Sequence, residues 1–447
     1  MMSERGLGWP GIVRLGIAQT ALGAIVVLMT STINRVMVVE FALPALVPGL
    51  LVASHYAVQI FRPAWGYGSD VGGRRTPWIV GGMATLAIGA IGAAVGTALA
   101  ANALSLGLSV AAVAFLLVGM GAGSAGTSVL ALLASRVAPR RRAAAASVVW
   151  MMMILGFAIS APLAGHFLDP FSNARLIEVT SAVAAAAFAI SVLAVWGVED
   201  KVTATMTVAS HRSSSSFARA LAEVWREPEA RRFTIFIFVS MLAYGAQELL
   251  IEPFAGLVFG MTPGSTTKLA GLQHGGVLLG MLSVAIAAST IGGQTVSSLR
   301  LWTVAGCAAS AASLSAIAAI GLFRLGPEAF RAGVFALGVS NGIYAVAAIG
   351  SMMGLAGAAG TASREGTSMG LWGAAQAIAY GAGGVTATVL VDVSRSLGAT
   401  PLVAYALVFG LEAALFLVAT ALARSSAPHS AYEGATAAVP PSLSVQL

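Results

Sequence analysis

Charged and amide side chains occur at a few places inside the long apolar stretches of this 447-residue chain. Glu248 and Glu252 are four residues apart, so both carboxylates share one helical face. Two ionised carboxylates in such a stretch are costly, and a proton, a cation or an arginine should accompany one of them. The pair is therefore either a proton-coupled or ligand-contacting site or part of a structural ion pair.

Other intramembrane polar residues extend this pair. Asn34, Arg35 and Glu40 end the first apolar stretch, either as a recognition or gating cluster or as an Arg35–Glu40 pair that fixes helix depth. Gln247 precedes the carboxylate pair, for which Arg35 is a second potential partner. Glu412 lies midway along the last apolar stretch and should face another helix, but the sequence suggests no role for it.

Two histidines could act as ligands. His55 and Gln59 are four apart on one helical face, and His274 occupies the matching place 219 residues later. Each histidine is either a metal ligand or a hydrogen-bonded residue that packs two helices together. Trp372 and Tyr380, inside the eleventh stretch, could line a groove for an apolar ligand.

No catalytic constellation is recognisable in the sequence. Phosphate loops, dinucleotide fingerprints, nucleophile elbows and paired prenyltransferase aspartates are all missing. The glycine-rich segment 119–126 lies inside an apolar stretch with no strand before it, which favours helix packing. The single cysteine, Cys307, excludes an intrachain disulfide and a thiol–metal cluster. We expect a protein that is not an enzyme and holds no metal of its own.

The elements that must position these residues are membrane-spanning helices. The chain is 58% hydrophobic and 9% charged with mean hydropathy +0.88, which excludes soluble and disordered classes. An Ala- and Gly-rich chain without short alternating segments favours helices over a barrel. We predict an all-α membrane protein with twelve spans at 12–37, 43–64, 77–99, 104–134, 143–165, 175–197, 233–256, 269–294, 301–323, 328–353, 367–391 and 401–423.

The basic residues predict the orientation. With both termini in the cytoplasm, 18 of the 24 Lys and Arg residues fall on the cytoplasmic side. The net charge of +7 thus reports topology, and no nucleic-acid partner is expected.

A long hydrophilic stretch divides the twelve spans into two groups of six. The same 219-residue offset that relates the two histidines places Gly119 on Gly338 and Gly123 on Gly342, which suggests two pseudo-repeats. The predicted units are a first half, a cytoplasmic linker with an amphipathic helix, a second half and a disordered tail, at 1–197, 198–232, 233–424 and 425–447.

One loop carries a recognisable signature. The segment GYGSDVGGRRTP at 66–77 contains Gly66, Asp70, Gly73, Arg74 and Arg75. This pattern is similar to the loop motif of the major facilitator superfamily. The resemblance implies the major facilitator fold, with a cytoplasmic latch between the halves. It implies little about the substrate.

A narrower resemblance covers most of the chain. The stretches 14–83, 246–264, 340–356 and 364–384 resemble the PucC/LhaA family of purple phototrophic bacteria. Glu248 stands where we expect aspartate in that family, and the carboxylate is kept. The family implies a factor that assists assembly of light-harvesting complexes in the intracytoplasmic photosynthetic membrane.

The resemblance implies ligands and partners. Bacteriochlorophyll or a precursor is the expected cofactor, with His55 or His274 as axial ligand of its magnesium and Trp372 and Tyr380 along its ring. The implied partners are the lipid bilayer, light-harvesting antenna polypeptides, and a bacteriochlorophyll synthase or geranylgeranyl reductase. A secondary transporter of an apolar or pigment-related solute remains the alternative function.

Overall fold

The structure is a computed structural model that describes residues 7–62, 65, 69, 74–138, 141–199, 225–226, 228–290, 296–358 and 362–425. Over these residues the chain folds into twelve helices of more than ten residues. The helices are α1 (Trp9–Val27), α2 (Leu46–Val58), α3 (Thr76–Ala100), α4 (Leu104–Arg136), α5 (Arg142–Leu168), α6 (Asn173–Val195), α7 (Pro228–Phe259), α8 (Pro263–Thr290), α9 (Val296–Leu322), α10 (Pro327–Ala358), α11 (Ala362–Ser396) and α12 (Pro401–Ser425).

Eleven of these helices are long and apolar enough to cross a membrane, which confirms a multi-span membrane protein. The exception is α2, where the apolar helix covers only Leu46–Phe61 and ends in a 3₁₀ turn. At 1.5 Å per residue this segment is about 24 Å long, short of the roughly 30 Å hydrocarbon core. Arg62 and Trp65 are also helical, and residues 63 and 64 of the predicted second span, 43–64, lie outside the described residues.

Proline and glycine define many of the helix boundaries. A proline stands in the first turn of α1, α3, α7, α8, α10 and α12, where its missing N–H costs no hydrogen bond. Gly260, Gly326 and Gly398 have φ of 64°, 92° and 93° just beyond α7, α9 and α11. These left-handed residues end one helix shortly before the next proline begins another.

Helix α1 continues beyond Val27 as two π-helical stretches, Leu28–Ile33 and Val36–Glu40. Long π-helical segments are rare and are found most often at functional sites. This one turns the polar residues at the end of the first helix towards the interior of the bundle, where Asn34 and Arg35 are buried.

Five helix pairs recur after a shift of six helices. Helices α1–α5, α1–α6, α2–α4, α3–α4 and α3–α6 pack together, as do α7–α11, α7–α12, α8–α10, α9–α10 and α9–α12. Close contacts between the first six and last six helices are made by α5 with α8, α2 with α11, and α1 with α7 and α8.

Some of the predicted features lie outside the described residues. These are Gly66, Asp70 and Gly73 of the loop motif, most of the linker 198–232, and the tail after residue 425. Arg74 is exposed, and the Arg75 guanidinium donates to the Ala131 carbonyl at 2.7 Å.

Glu199 caps the start of α3 from the segment that follows α6. Its carboxylate accepts hydrogen bonds from the Arg75 and Thr76 backbone N–H groups at 2.8–3.0 Å and from the Thr76 hydroxyl. Burial alone would raise the pKa of this carboxyl, but the hydrogen bonds from Thr76 and Arg75, with Arg136 nearby, hold it below the ordinary value of 4.5.

Because the folded-state pKa of Glu199 is below the unfolded one, its stabilisation is complete above pH 4.5 and is lost as the pH falls further. We expect Glu199→Gln to lower the free energy of unfolding at pH 7 by about 1 kcal/mol, the worth of a helix cap. The difference from the parent should shrink towards pH 3. Unfolding in mixed micelles measures both, with Glu178→Gln, an exposed carboxyl of α6, as the control.

Candidate functional site

Polar side chains join α1 to α7 and α8 inside the bundle. Ser31 is hydrogen-bonded to the Glu252 carboxylate, and the Thr32 and Thr267 hydroxyls are 2.9 Å apart. The Asn34 side-chain amide donates to the Leu249 carbonyl at 2.8 Å. These residues, with Arg35, Gln247 and Glu248, are called the central polar cluster below.

The buried Arg35 side chain forms an ion pair with the partly exposed Glu40 on its own helix. Its second terminal nitrogen donates to the Met261 carbonyl, between α7 and α8, at 2.6 Å. The guanidinium also lies against Gly256, one turn beyond Glu252. The first and seventh helices therefore meet, but Arg35 forms its ion pair with Glu40 and not with Glu248 or Glu252.

Glu252 is the least compensated charge of the cluster. One carboxylate oxygen is bonded to Ser31, while Oε2 has no hydrogen-bond partner among the described residues. The Asn34 Oδ1 and both polar atoms of the Gln247 side chain are likewise buried without a partner in this part of the chain. Buried polar atoms without partners are rare, and they identify this cluster as a place where a proton, water or small ligand would be stabilised.

Glu248 faces a different neighbour from Glu252, although the two share one helix. It is half-buried and lies near the Tyr56 hydroxyl of α2. The ring of Tyr380 lies 5.3 Å from that of Tyr56 and 5.5 Å from that of Tyr244. Tyr344 of α10 continues the group, 6.3 Å from Tyr244. This tyrosine cluster joins α2, α7, α10 and α11 around one carboxylate.

Hydrogen bonds from neighbouring side chains fix the position of the His55 ring. Its Nε2 lies 3.0 Å from the Gln59 side-chain nitrogen, and Arg62 donates to the Gln59 oxygen. The other ring nitrogen is buried and has no partner among the residues that the structure describes, and the His55 backbone lies directly against Gly119 of α4. The predicted His55–Gln59 pair is thus present, in a closely packed crossing of two helices.

His274 has a different environment. Its Nδ1 bonds to the Ala270 carbonyl at 2.8 Å, so a proton on Nδ1 leaves the lone pair on Nε2. The ring packs edge-on against Phe157 of α5, with centroids 4.7 Å apart. Phe157, Trp150 and Met153 belong to an apolar patch shared by α5, α8 and α10. Next to the histidine, open space surrounds Gly275.

The remaining predicted residues stay apart from these groups. Glu412 is 1% exposed in α12, and neither carboxylate oxygen has a partner within the described ranges. The Trp372 side chain lies outside the described part of the chain. Among the described residues, no three His, Cys, Asp or Glu side chains are grouped so as to hold a metal ion.

Sequence reasoning missed most of the partners in this site. Ser31, Thr32 and Thr267 have small hydroxyl side chains that are common in membrane helices, so their types gave no signal. Tyr56 and Tyr244 could have been noticed, because Tyr56 follows His55 and Tyr244 lies one turn before Glu248.

Comparison with known proteins gives similarities over nearly the whole chain. The family described as PUCC protein matches residues 32–427. A Rhodobacter capsulatus protein named bacteriochlorophyll synthase 44.5 kDa chain is 51% identical, over 93% of this chain and 95% of that relative. Protein PucC of Rhodobacter capsulatus is 31% identical over 92% of this chain and 91% of its own length. Protein PucC of Cereibacter sphaeroides is 30% identical over 91% and 90%.

Proposed function

The chain belongs to the PUCC protein family, and from this we propose that it binds bacteriochlorophyll or a precursor in the membrane and delivers it to light-harvesting polypeptides. A photosynthetic, pigment-related role follows from the family and from the names of its relatives. The observation that carries the proposal furthest is the relative at 51% identity, whose name connects it to bacteriochlorophyll.

The two histidines differ in how well they fit such a pigment. The magnesium of a bacteriochlorin supplies one open axial position, which a neutral imidazole nitrogen can fill. At His55 one nitrogen is bonded to Gln59 and the other is buried in a closely packed crossing of α2 and α4. At His274 the hydrogen bond from Nδ1 holds the ring so that Nε2 can accept, beside an apolar patch with tryptophan, methionine and phenylalanine. We therefore favour His274 as the axial ligand.

We expect His274→Ala to lower the pigment bound per protein by roughly tenfold or more, because removing a side chain that supports a metal typically costs at least tenfold in affinity. His55→Ala, the matched histidine of the first six helices, should affect stability more than pigment content. Protein purified in mild detergent from the native membrane is measured by its absorption spectrum and pigment-to-protein ratio. A colourless parent would contradict the proposed function, whereas pigment unaffected by His274→Ala would contradict only the ligand assignment.

The proposal extends to partners and location. We propose that the protein is a non-catalytic partner of a bacteriochlorophyll synthase or geranylgeranyl reductase, and that it resides in the intracytoplasmic photosynthetic membrane. The residues that support contact with single-span helices are the many exposed apolar side chains on the outside of the bundle.

We also propose that the helices form two six-helix pseudo-repeats of the major facilitator type, with both termini cytoplasmic. The recurrence of five helix contacts after a shift of six helices supports the repeats. The glycine crossings agree, since Gly119 packs on His55 while Gly338 packs on Gln273, next to His274. The excess of Arg at one end of the spans supports the orientation.

A second function is favoured by the central polar cluster. Within the described residues Glu252 forms no ion pair, and the nearby Arg35 is paired with Glu40. Such a carboxylate suits proton-linked transport of an apolar or pigment-related solute. Solute uptake into vesicles that responds to a proton gradient and is abolished by Glu252→Gln would favour this function over delivery alone.

A further inference from the structure

Two aspartates bond across the boundary between the first six and the last six helices. Asp169, at the end of α5, accepts hydrogen bonds from the Gly264 N–H at 3.1 Å and the Thr262 hydroxyl at 2.8 Å, at the start of α8. Asp392, near the end of α11, accepts from the Ala45 and Leu46 N–H groups at 3.0 and 2.8 Å, at the start of α2. Each aspartate thus satisfies N–H groups that a helix start leaves without a partner.

The two contacts are counterparts of one another. In chain order, α11 is the sixth helix after α5, and α8 is the sixth helix after α2. The α5–α8 and α2–α11 contacts therefore join equivalent helices of the two groups. Inside each contact a glycine permits close approach, Gly49 of α2 against Thr388 of α11 and Gly271 of α8 against Pro162 of α5. Both lie at the end of the bundle where α1 and α7 finish, since Arg35 also bonds Met261 there. We call this end the α2/α8 face.

Each aspartate breaks a local rule. A carboxylate near the C-terminal end of a helix faces the negative end of its own helix dipole, which is unfavourable. Among the described residues, its hydrogen bonds come from the positive end of a helix from the other six. The stabilisation is therefore conditional on the two groups of helices being in contact at this face. Residues that break a local rule in this way are expected at functional sites.

We propose that Asp169 and Asp392 are a pair of clamps that hold the α2/α8 face closed, and that this face opens only when both release. Within the central polar cluster, the contacts across the same boundary are also hydrogen bonds, such as Thr32–Thr267 and Asn34–Leu249. Water can replace these bonds when the face opens. Close backbone contacts occur within each group of six, such as Gly82 on Ala125 or Gly280 on Val339, and also across the boundary beside the Asp169 clamp, where Gly165 packs on Gly264. Opening of this face therefore requires the α5–α8 crossing to part together with its clamp.

The clamps can be tested by cysteine accessibility. Cys307 is fully buried, and Cys307→Ser removes the single natural thiol. Thr267→Cys then places a reporter at a fully buried position beneath the clamps. The rate of reaction with a water-soluble maleimide is measured on the purified full chain.

We expect Asp169→Ala or Asp392→Ala to raise the reaction rate roughly tenfold each, and both together roughly a hundredfold, as the loss of one or two helix caps would. Glu328→Ala is the matched control: it removes an exposed carboxylate whose ion pair, with Arg331, is on its own helix. Reaction of the double variant at the parent rate would overturn the proposal, as would an equal increase in the control.

Asparagine variants keep the test decisive if the alanine variants do not accumulate. Asn retains an oxygen acceptor and the side-chain size but not the charge, so Asp169→Asn with Asp392→Asn should raise the rate by a smaller factor. A rate equal to that of the parent in this pair would contradict charge-assisted clamping.

Discussion

Replacing Arg35 by alanine should lower the free energy of unfolding by about 1–3 kcal/mol, the cost of leaving a buried hydrogen-bond acceptor without its donor. The Arg35 side chain is 3% exposed, and its loss leaves both the Glu40 carboxylate and the Met261 carbonyl without their donor. Unfolding in mixed micelles followed by circular dichroism measures the change.

The chain offers a matched control for this variant. Arg331 pairs with Glu328 at a spacing of three residues, but these side chains are 41% and 80% exposed. An exposed pair contributes about 0–1 kcal/mol, so Arg331→Ala should have little effect. Equal losses in the two variants would show that burial does not determine the contribution of Arg35.

The second large effect is expected at the crossing of α8 and α10. A Cβ added at Gly342 would overlap the Val277 carbonyl oxygen, and backbone cannot move aside as a flexible side chain can. We expect Gly342→Ala to destabilise the protein by about 2–3 kcal/mol through overpacking. The same unfolding measurement applies.

Gly410→Ala separates packing from helix propensity. Gly410 is also inside a helix, but a Cβ there has nothing within 4 Å. Alanine is the better helix former by about 0.5–1 kcal/mol, so this variant should be neutral or more stable than the parent. Destabilisation of similar size at Gly410 would contradict a role for close approach at Gly342.

Much of the fold was predictable because length and hydropathy determine where helices can span a membrane. All twelve helices overlap the predicted spans, since the prolines and glycines that end them are visible in the sequence. Helix α2 tightens into a 3₁₀ turn at Gln59–Phe61, inside the predicted second span, and nothing in its apolar run indicates this change. Hydropathy reports burial in lipid and does not report hydrogen-bond geometry.

The sequence predicted which residue types form the site, but it predicted their spatial arrangement only in part. The cost of charge in the membrane singled out Arg35, Glu248 and Glu252 from the sequence alone. Their partners depend on which helices meet and at what height, and no local pattern specifies this. Glu248 and Glu252 share a helix yet reach α2 and α1 respectively, so a common helical face did not imply a common neighbour.

Asp169 and Asp392 were overlooked for a related reason. Each lies at the edge of a span, where a carboxylate draws no attention. Their position near a helix C-terminus, however, conflicts with the helix dipole, and this conflict is visible once helix ends are assigned. A search for charges that oppose their own helix would have found both.

The π-helical end of α1 has a consequence for how this protein can diverge through insertions and deletions. A π-helical turn closes from residue i to i+5, one residue more than an α-helical turn, so removing one residue between Leu28 and Ile33 can be absorbed by closing that turn as an α-helix. Asn34 and Arg35 would then keep their contacts with α7 and the chain beyond it. The same deletion in the α-helical part, Trp9–Val27, would rotate every later side chain by about 100° and break those contacts.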